Sequence, residues 1–235
     1  MAIIKSESGV NLANWTVVLG DGNYAAPGVA PVSAADIATS NTTAYGLLEA
    51  NVDNRRIMAH NITYNKIVET TALSVTHTAT YTFKIPYTIS TGNTNFNGQT
   101  VEGGLFVWDG VSTQLDYGLA FQWVINPWDA NYGKVFYWNG SGWTYLGCTL
   151  TPDTNNHEIS FELNIANQEA YITLDGVTYT QNVFSETTKS GWGTTVDARF
   201  QAETISIYPS ATGSVPSQKV EFKNWSWVWD SPSVV

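Results

Sequence analysis

The sequence predicts an all-β fold, an antiparallel sandwich of two sheets, from three observations. Apolar and polar residues alternate with a period of two in several stretches. Turns rich in Gly, Asn and Asp interrupt them at short intervals, and helical periodicity is almost absent. Roughly a dozen strands are read this way, and no repeat of fixed length points to a propeller or a β-helix.

Trp15–Leu19 forms a first strand, closed by Gly-Asp-Gly. Residues 25–41 are rich in Ala, Pro and Ser, and Ser33-Ala-Ala-Asp36 caps at most one helical turn. Arg55–Thr63 reads as another strand. From Thr76, His77, Ala79, Tyr81, Phe83 and Ile85 alternate with Thr76, Thr78, Thr80, Thr82 and Lys84, the pattern of a half-buried strand with a wet face.

The stretch 103–148 holds five of the ten Trp residues. Its apolar runs 103–108, 115–125 and 134–138 are separated by Asp-Gly, Asn-Pro, Tyr-Gly and Asn-Gly-Ser-Gly, which are turn chemistry. In the middle run Tyr117, Leu119, Phe121, Trp123 and Ile125 share one face and are bulky enough to be core. Gly118, Ala120, Gln122, Val124 and Asn126 share the other, which suits a groove floor that a ligand approaches closely.

Further on, His157, Ile159, Phe161, Leu163 and Ile165 alternate with Glu158, Ser160, Glu162 and Asn164. Ala170, Ile172 and Leu174 lead through Asp175-Gly176 into Val177 and Tyr179, a two-residue hairpin. Arg199–Tyr208 is a further strand. The strand Val220–Trp229 is expected to carry Val220, Phe222 and Val228 on one face and Trp225, Trp227 and Trp229 on the other.

The length of 235 residues with no linker-like stretch or charge run implies a single domain over 1–235. Such a chain buries about 70% of its unfolded surface and needs neither disulfide nor metal to fold. The lone Cys148, in an apolar and aromatic setting, reads as an inert, buried thiol. A net charge of −10 with scattered Lys and Arg excludes nucleic acid and an anionic membrane as partners, and disfavours strongly anionic polysaccharides. The start, MAIIKSESG, is too short in apolar residues for a signal peptide. The expectation is a cytoplasmic or non-classically exported protein, or a secreted one whose signal has been removed.

From 103 to 229 the chain resembles the concanavalin A-like lectin/glucanase superfamily, a jelly-roll sandwich. The resemblance rests on HEISFELNIANQEAYITLDGVTY, then a variable loop, then VEFKNWSWVWD, an order similar to the closing strands of laminin G-like modules and of alginate- and glucuronan-lyase-type jelly rolls. In those lyases a strand with alternating Ser and Arg before a Trp is followed by a glycine turn and a Tyr-x-Tyr strand. DYGLAFQWVINPWDANYGKVFYW has a similar layout, with Trp123 at the Trp. Gly118 and Ala120 stand at the Ser and Arg positions, and Phe136 and Trp138 replace the two Tyr. The resemblance thus implies a groove without the lyase's base and carboxylate clamp.

Trp128, Tyr132, Trp138 and Trp143 lie on or beside turns, and flat aromatics with neighbouring amides are what a neutral-glycan site needs. Glu158 and Glu162 read as a solvated outer face. Glu102, Glu203 and Glu221 have no carboxylate partner by sequence, and the Glu-x-Asp-x-x-Glu pattern of laminarinase-type sandwiches is missing. His60, His77 and His157 sit within or beside strands and read as structural. The resemblance allows a Ca²⁺ bound by turn oxygens, with Asp109, Asp116 and Asp129 as candidate ligands.

The leading expectation is a lectin-like groove for a neutral glycan, lined by Gln122, Asn126, Trp128, Tyr132, Phe136, Trp138, Trp143 and Trp227. A polysaccharide lyase or glycoside hydrolase on the same scaffold is the second. A pocket that binds or cyclises a small hydrophobic molecule, terpenoid- or lipid-like, is the third.

Overall fold

The computed structural model describes residues 2–7, 15–19, 37–41, 46–50, 58–68, 75–85, 98–108, 117–127, 129–186, 197–207 and 218–230. Among them are sixteen strands and no helix. The first six are β1 (Ala2–Glu7), β2 (Trp15–Leu19), β3 (Ile37–Asn41), β4 (Gly46–Ala50), β5 (Met58–Val68) and β6 (Thr76–Lys84). Then come β7 (Gly98–Trp108), β8 (Tyr117–Val124), β9 (Lys134–Trp138), β10 (Trp143–Thr149) and β11 (His157–Asn164). The last are β12 (Glu169–Leu174), β13 (Val177–Tyr179), β14 (Ser185–Glu186), β15 (Asp197–Ile207) and β16 (Gln218–Asp230).

Two antiparallel sheets result. The first runs β13-β12-β11-β6-β16-β4-β3, with β1 beside the second half of β16. The second runs β10-β9-β8-β7-β15-β5-β2, with β14 beside the start of β8. Their facing sides make one apolar layer. Phe83 of the first sheet meets Phe121 and Trp123 of the second, each at a ring separation of 5.8 Å. Phe161 lies 5.8 Å from Phe121 and 5.7 Å from Tyr81. Burying each such ring contributes about 1.5–3 kcal/mol, so this layer is what holds the sheets together.

The alternations over 76–85 and 157–165 put their apolar members inside as expected, and Leu119, Phe121, Trp123 and Ile125 are all fully buried. The Asp175-Gly176 hairpin has φ of +48° and +79°, the positive pair that a tight two-residue turn requires. The Asp175 carboxylate also ties the turn to β11. It accepts the Glu158 N–H at 2.8 Å and lies 2.7 Å from Nδ1 of His157.

The last strand corrects the sequence expectation. Val220, Trp225, Trp227 and Trp229 are all buried, although their numbers place Val220 on the opposite parity. The register against β6 slips between Lys223 and Ser226, and Asn224 adopts φ +52°. This β-bulge inserts one residue, so the inward set passes from even to odd numbers. The Trp stripe therefore lies in the core, where the Trp227 indole N–H donates to Nδ1 of His77 at 3.2 Å.

Strands β1, β3, β4 and β10 were not expected from the pattern. In β10 a second register shift, between Tyr145 and Cys148, breaks the alternation. The helical turn expected at Ser33–Asp36 falls outside the described residues.

Candidate functional site

Residues that oppose one another in a ladder lie on the same face of a sheet. Because Val101, Leu105, Phe121, Trp123 and Val135 point into the core, the even-numbered residues of β7, β8 and β9 lie on the outer face of the second sheet. Following the register across five strands gives one row: Glu203 on β15, Glu102 on β7, Gln122 on β8, Phe136 on β9 and Tyr145 on β10. Strands in a sheet lie about 4.8 Å apart, so the row is about 19 Å long.

One end of the row is aromatic. Phe136 and Tyr145 have ring centroids 5.8 Å apart, and next to them Trp138 and Trp143 meet edge to face at 5.5 Å and 74°. The hairpin between β9 and β10 sets this register. Oδ1 of Asn139 accepts the backbone N–H groups of Ser141 and Gly142, both at 2.9 Å, which closes the turn and places Trp138 opposite Trp143. Trp143 is 36% and Tyr145 44% exposed, so the platform is open to solvent. Lys134 stands at its border, with Nζ 5.7 Å from the Tyr145 centroid and 3.0 Å from Oδ1 of Asn131.

The other end is polar and largely dry. Glu102 is only 9% exposed. Its Oε1 accepts from Nε2 of Gln122 at 2.6 Å and from the Thr100 hydroxyl at 2.9 Å. Among the described residues no hydrogen bond reaches Oε2. Loss of water pushes the carboxyl up from 4.5 to about 7, against the opposing effect of the Gln122 and Thr100 hydrogen bonds. Beside it, Gly104 lets β7 pass close to β8. A Cβ on that residue would sit 1.9 Å from the carbonyl oxygen of Leu119.

The structure brings Gln122, Phe136, Trp138 and Trp143 onto this one face, the first three half-buried. Tyr132 is exposed in the turn before β9, where partial burial and the nearby Asp153 raise its hydroxyl. Asn126 is buried at the end of β8, and its backbone oxygen accepts the Asp129 N–H at 3.1 Å. Trp227 is fully buried in the core and does not line this face, for the bulge turns it inward. Trp128 lies outside the described residues, as do Asp109 and Asp116. Asp129 accepts the Asn131 N–H through Oδ1 at 2.7 Å, which gives it a turn-forming role. No group of three His, Cys, Asp or Glu among the described residues is placed to hold a metal ion. Cys148 is half-buried rather than sealed, and burial pushes its thiol up, against the hydrogen bond with Tyr179.

No family model and no curated protein matches the chain. Among solved structures it is similar to basic winged bean lectin with Tn-antigen, at 9% identity and a TM-score of 0.53, over 99% of this chain and 100% of that one. It is also similar to a Bacteroides ovatus mixed-linkage glucan GH16 protein in complex with the G4G4G3G product, at 9% identity and a TM-score of 0.51, over 96% and 99% of the two chains. The fold is a concanavalin A-like jelly roll. A sialidase is matched at 12% identity and a TM-score of 0.51 over 94% of this chain, which spans 17% of that protein. At these identities the likeness is one of fold.

Within this jelly roll, sequence reasoning missed Glu102, Tyr145 and Lys134. For Glu102 no single-sequence signal exists, since it meets Gln122 only through the pairing of β7 with β8. Tyr145 was within reach, because it shares parity with Trp143 immediately after a glycine turn.

Proposed function

We propose that this protein binds a neutral glycan, lectin-like, on the outer face of its second sheet. The observation that carries the reading is the ring platform of half-buried Phe136 and Trp138 with exposed Trp143 and Tyr145, in register with the Gln122 amide. A pyranose presents polarised C–H groups on its face, which stack on such rings, while amides satisfy its hydroxyls. The net charge of −10 disfavours an acidic glycan. The winged bean lectin and the glucan-bound protein hold sugars on the same scaffold, which supports the substrate class.

A glycan array of neutral oligosaccharides tests this. Wild-type protein should give at least one hit, and Trp138→Ala or Trp143→Ala should weaken it about tenfold or more, which is about 1.4 kcal/mol. Absence of any hit, or full retention of it in the double variant, refutes the reading.

A further inference from the structure

We infer that Glu102 binds the glycan as the neutral acid, with Oε2–H donating to a sugar oxygen beside the Gln122 carbonyl, and that glycan affinity is therefore gated by pH; the inference rests on the glycan-binding reading above. The hydrogen bonds around the carboxyl lead there. Oε1 accepts from Nε2 of Gln122 and from the Thr100 hydroxyl, at 2.6 and 2.9 Å. An oxygen that takes two donors is the carbonyl oxygen of a neutral acid, which leaves the proton on Oε2. Among the described residues no hydrogen bond reaches Oε2, on a side chain that is nine-tenths buried. That oxygen is unpartnered yet not sealed from solvent, unlike Nε2 of His157.

The same contact orients Gln122. Its NH₂ is turned to Glu102, so its carbonyl oxygen is turned away and accepts no hydrogen bond from the described residues. Glu102 and Gln122 are direct partners in the β7–β8 ladder, so the pair offers one donor and one acceptor side by side in the row. A sugar hydroxyl satisfies both at once, for it donates through its hydrogen and accepts on its oxygen. With the carboxyl ionised the pair becomes two acceptors, and one O–H serves only one of them.

The surroundings hold the proton in place. Loss of water raises the carboxyl from 4.5 to about 7, while the Gln122 and Thr100 hydrogen bonds pull the other way. Of the positions that flank Glu102 on β8, Ala120, Gln122 and Val124, none titrates. Of those on β15, Gln201, Glu203 and Ile205, Glu203 alone does, and a like charge acts in the same sense as burial. A sugar lying over the carboxyl removes more of its water, so the complex keeps the proton to a higher pH than the free protein does. Affinity is therefore complete below about 7 and falls as pH rises above it.

The test titrates full-length protein with cello-, laminari-, xylo-, manno- and galacto-oligosaccharides by calorimetry at about pH 6 and about pH 8.5, on either side of the Glu102 value. Wild type should bind at least one of them, with affinity about tenfold or more lower at the higher pH. At about pH 7.5 the heat of binding should change with the ionisation heat of the buffer, because the complex takes up part of a proton. Glu102→Gln has no proton to take up, so both effects should vanish in it. Thr100→Val removes a donor to the charged form and should move the fall in affinity up by about one pH unit, a displacement that a purely structural role of Glu102 would not produce. Wild-type binding that is equal at both pH values without proton uptake overturns the inference and leaves the binding reading standing. No wild-type binding at either value overturns both. Proton uptake that persists in Glu102→Gln assigns the effect to another group and overturns the inference. Should that variant bind at neither value, Thr100→Val decides: a fall that stays at the wild-type pH overturns it.

Discussion

Replacing Glu102 by Gln should change how stability depends on pH, in a direction fixed by the structure. In the folded protein burial raises this carboxyl from 4.5 to about 7. The folded state therefore holds a proton that the unfolded chain releases between those values. The contribution of the neutral form is complete below pH 4.5 and is lost as pH rises through about 7. A difference of about 2.5 units, at about 1.4 kcal/mol each, makes wild type about 3 kcal/mol less stable at pH 8 than its own carboxyl would make it at pH 4.5. Gln keeps the shape and an oxygen for the Thr100 and Gln122 donors, but it has no proton to lose. For a chain of this size about 1 kcal/mol moves Tm by about 2–4 °C. Relative to wild type, the variant should gain roughly 6–12 °C in Tm between pH 4.5 and pH 8. Thermal unfolding of both proteins at the two values measures it, and titrating groups that do not interact with Glu102 cancel in the comparison. A Tm difference between the proteins that stays the same at both pH values would show that Glu102 is not held neutral by its surroundings.

Three further substitutions check the frame around the site. Trp227→Ala should cost about 3–5 kcal/mol in urea unfolding, since it empties a fully buried indole site and removes the hydrogen bond to His77; a cost below about 1 kcal/mol would place Trp227 outside the core. Gly104→Ala should destabilise by about 3 kcal/mol, because the new Cβ meets the Leu119 carbonyl oxygen and forces β7 away from β8; a neutral result in the same assay would contradict this strand spacing. Asp175→Ala should cost about 1–2 kcal/mol by losing the bonds to His157 and the Glu158 N–H, whereas Asp175→Asn, which tolerates the left-handed turn, should recover part of it. Equal losses for Ala and Asn would argue against the turn conformation.

Period-two alternation was enough to read β6, β8, β11 and β12, because each has one face in the core and strand parity translates directly into burial. It failed at β16 for a reason that is also physical. The stripe of Trp225, Trp227 and Trp229 seemed to need an outlet, and a groove was offered for it, but the slip at Asn224 swaps the faces midway. A bulge of one residue leaves composition and periodicity on either side intact, so nothing in the local pattern reports it. The site divides in the same way. Gln122, Phe136, Trp138 and Trp143 fall within about twenty residues of sequence and were legible from parity and turns. Glu102 reads as an unpartnered acid by sequence, since only the pairing of β7 with β8 sets it against Gln122.

Strand β16 has one more consequence, which concerns the order in which the molecule can be assembled. It follows every other described strand in the chain, yet it sits in the interior of its sheet, with β6 along one edge and β4 then β1 along the other. Until it is made, β6 has an open edge, β1 has no partner among the described strands, and the β3–β4 pair has no link to the rest of its sheet. More than a hundred residues of synthesis separate β6 from the strand that fills that edge. Shortening the chain within 218–230 should therefore do more than trim an end: it removes the wedge that locks three earlier pieces, and the product is expected to partition into aggregates.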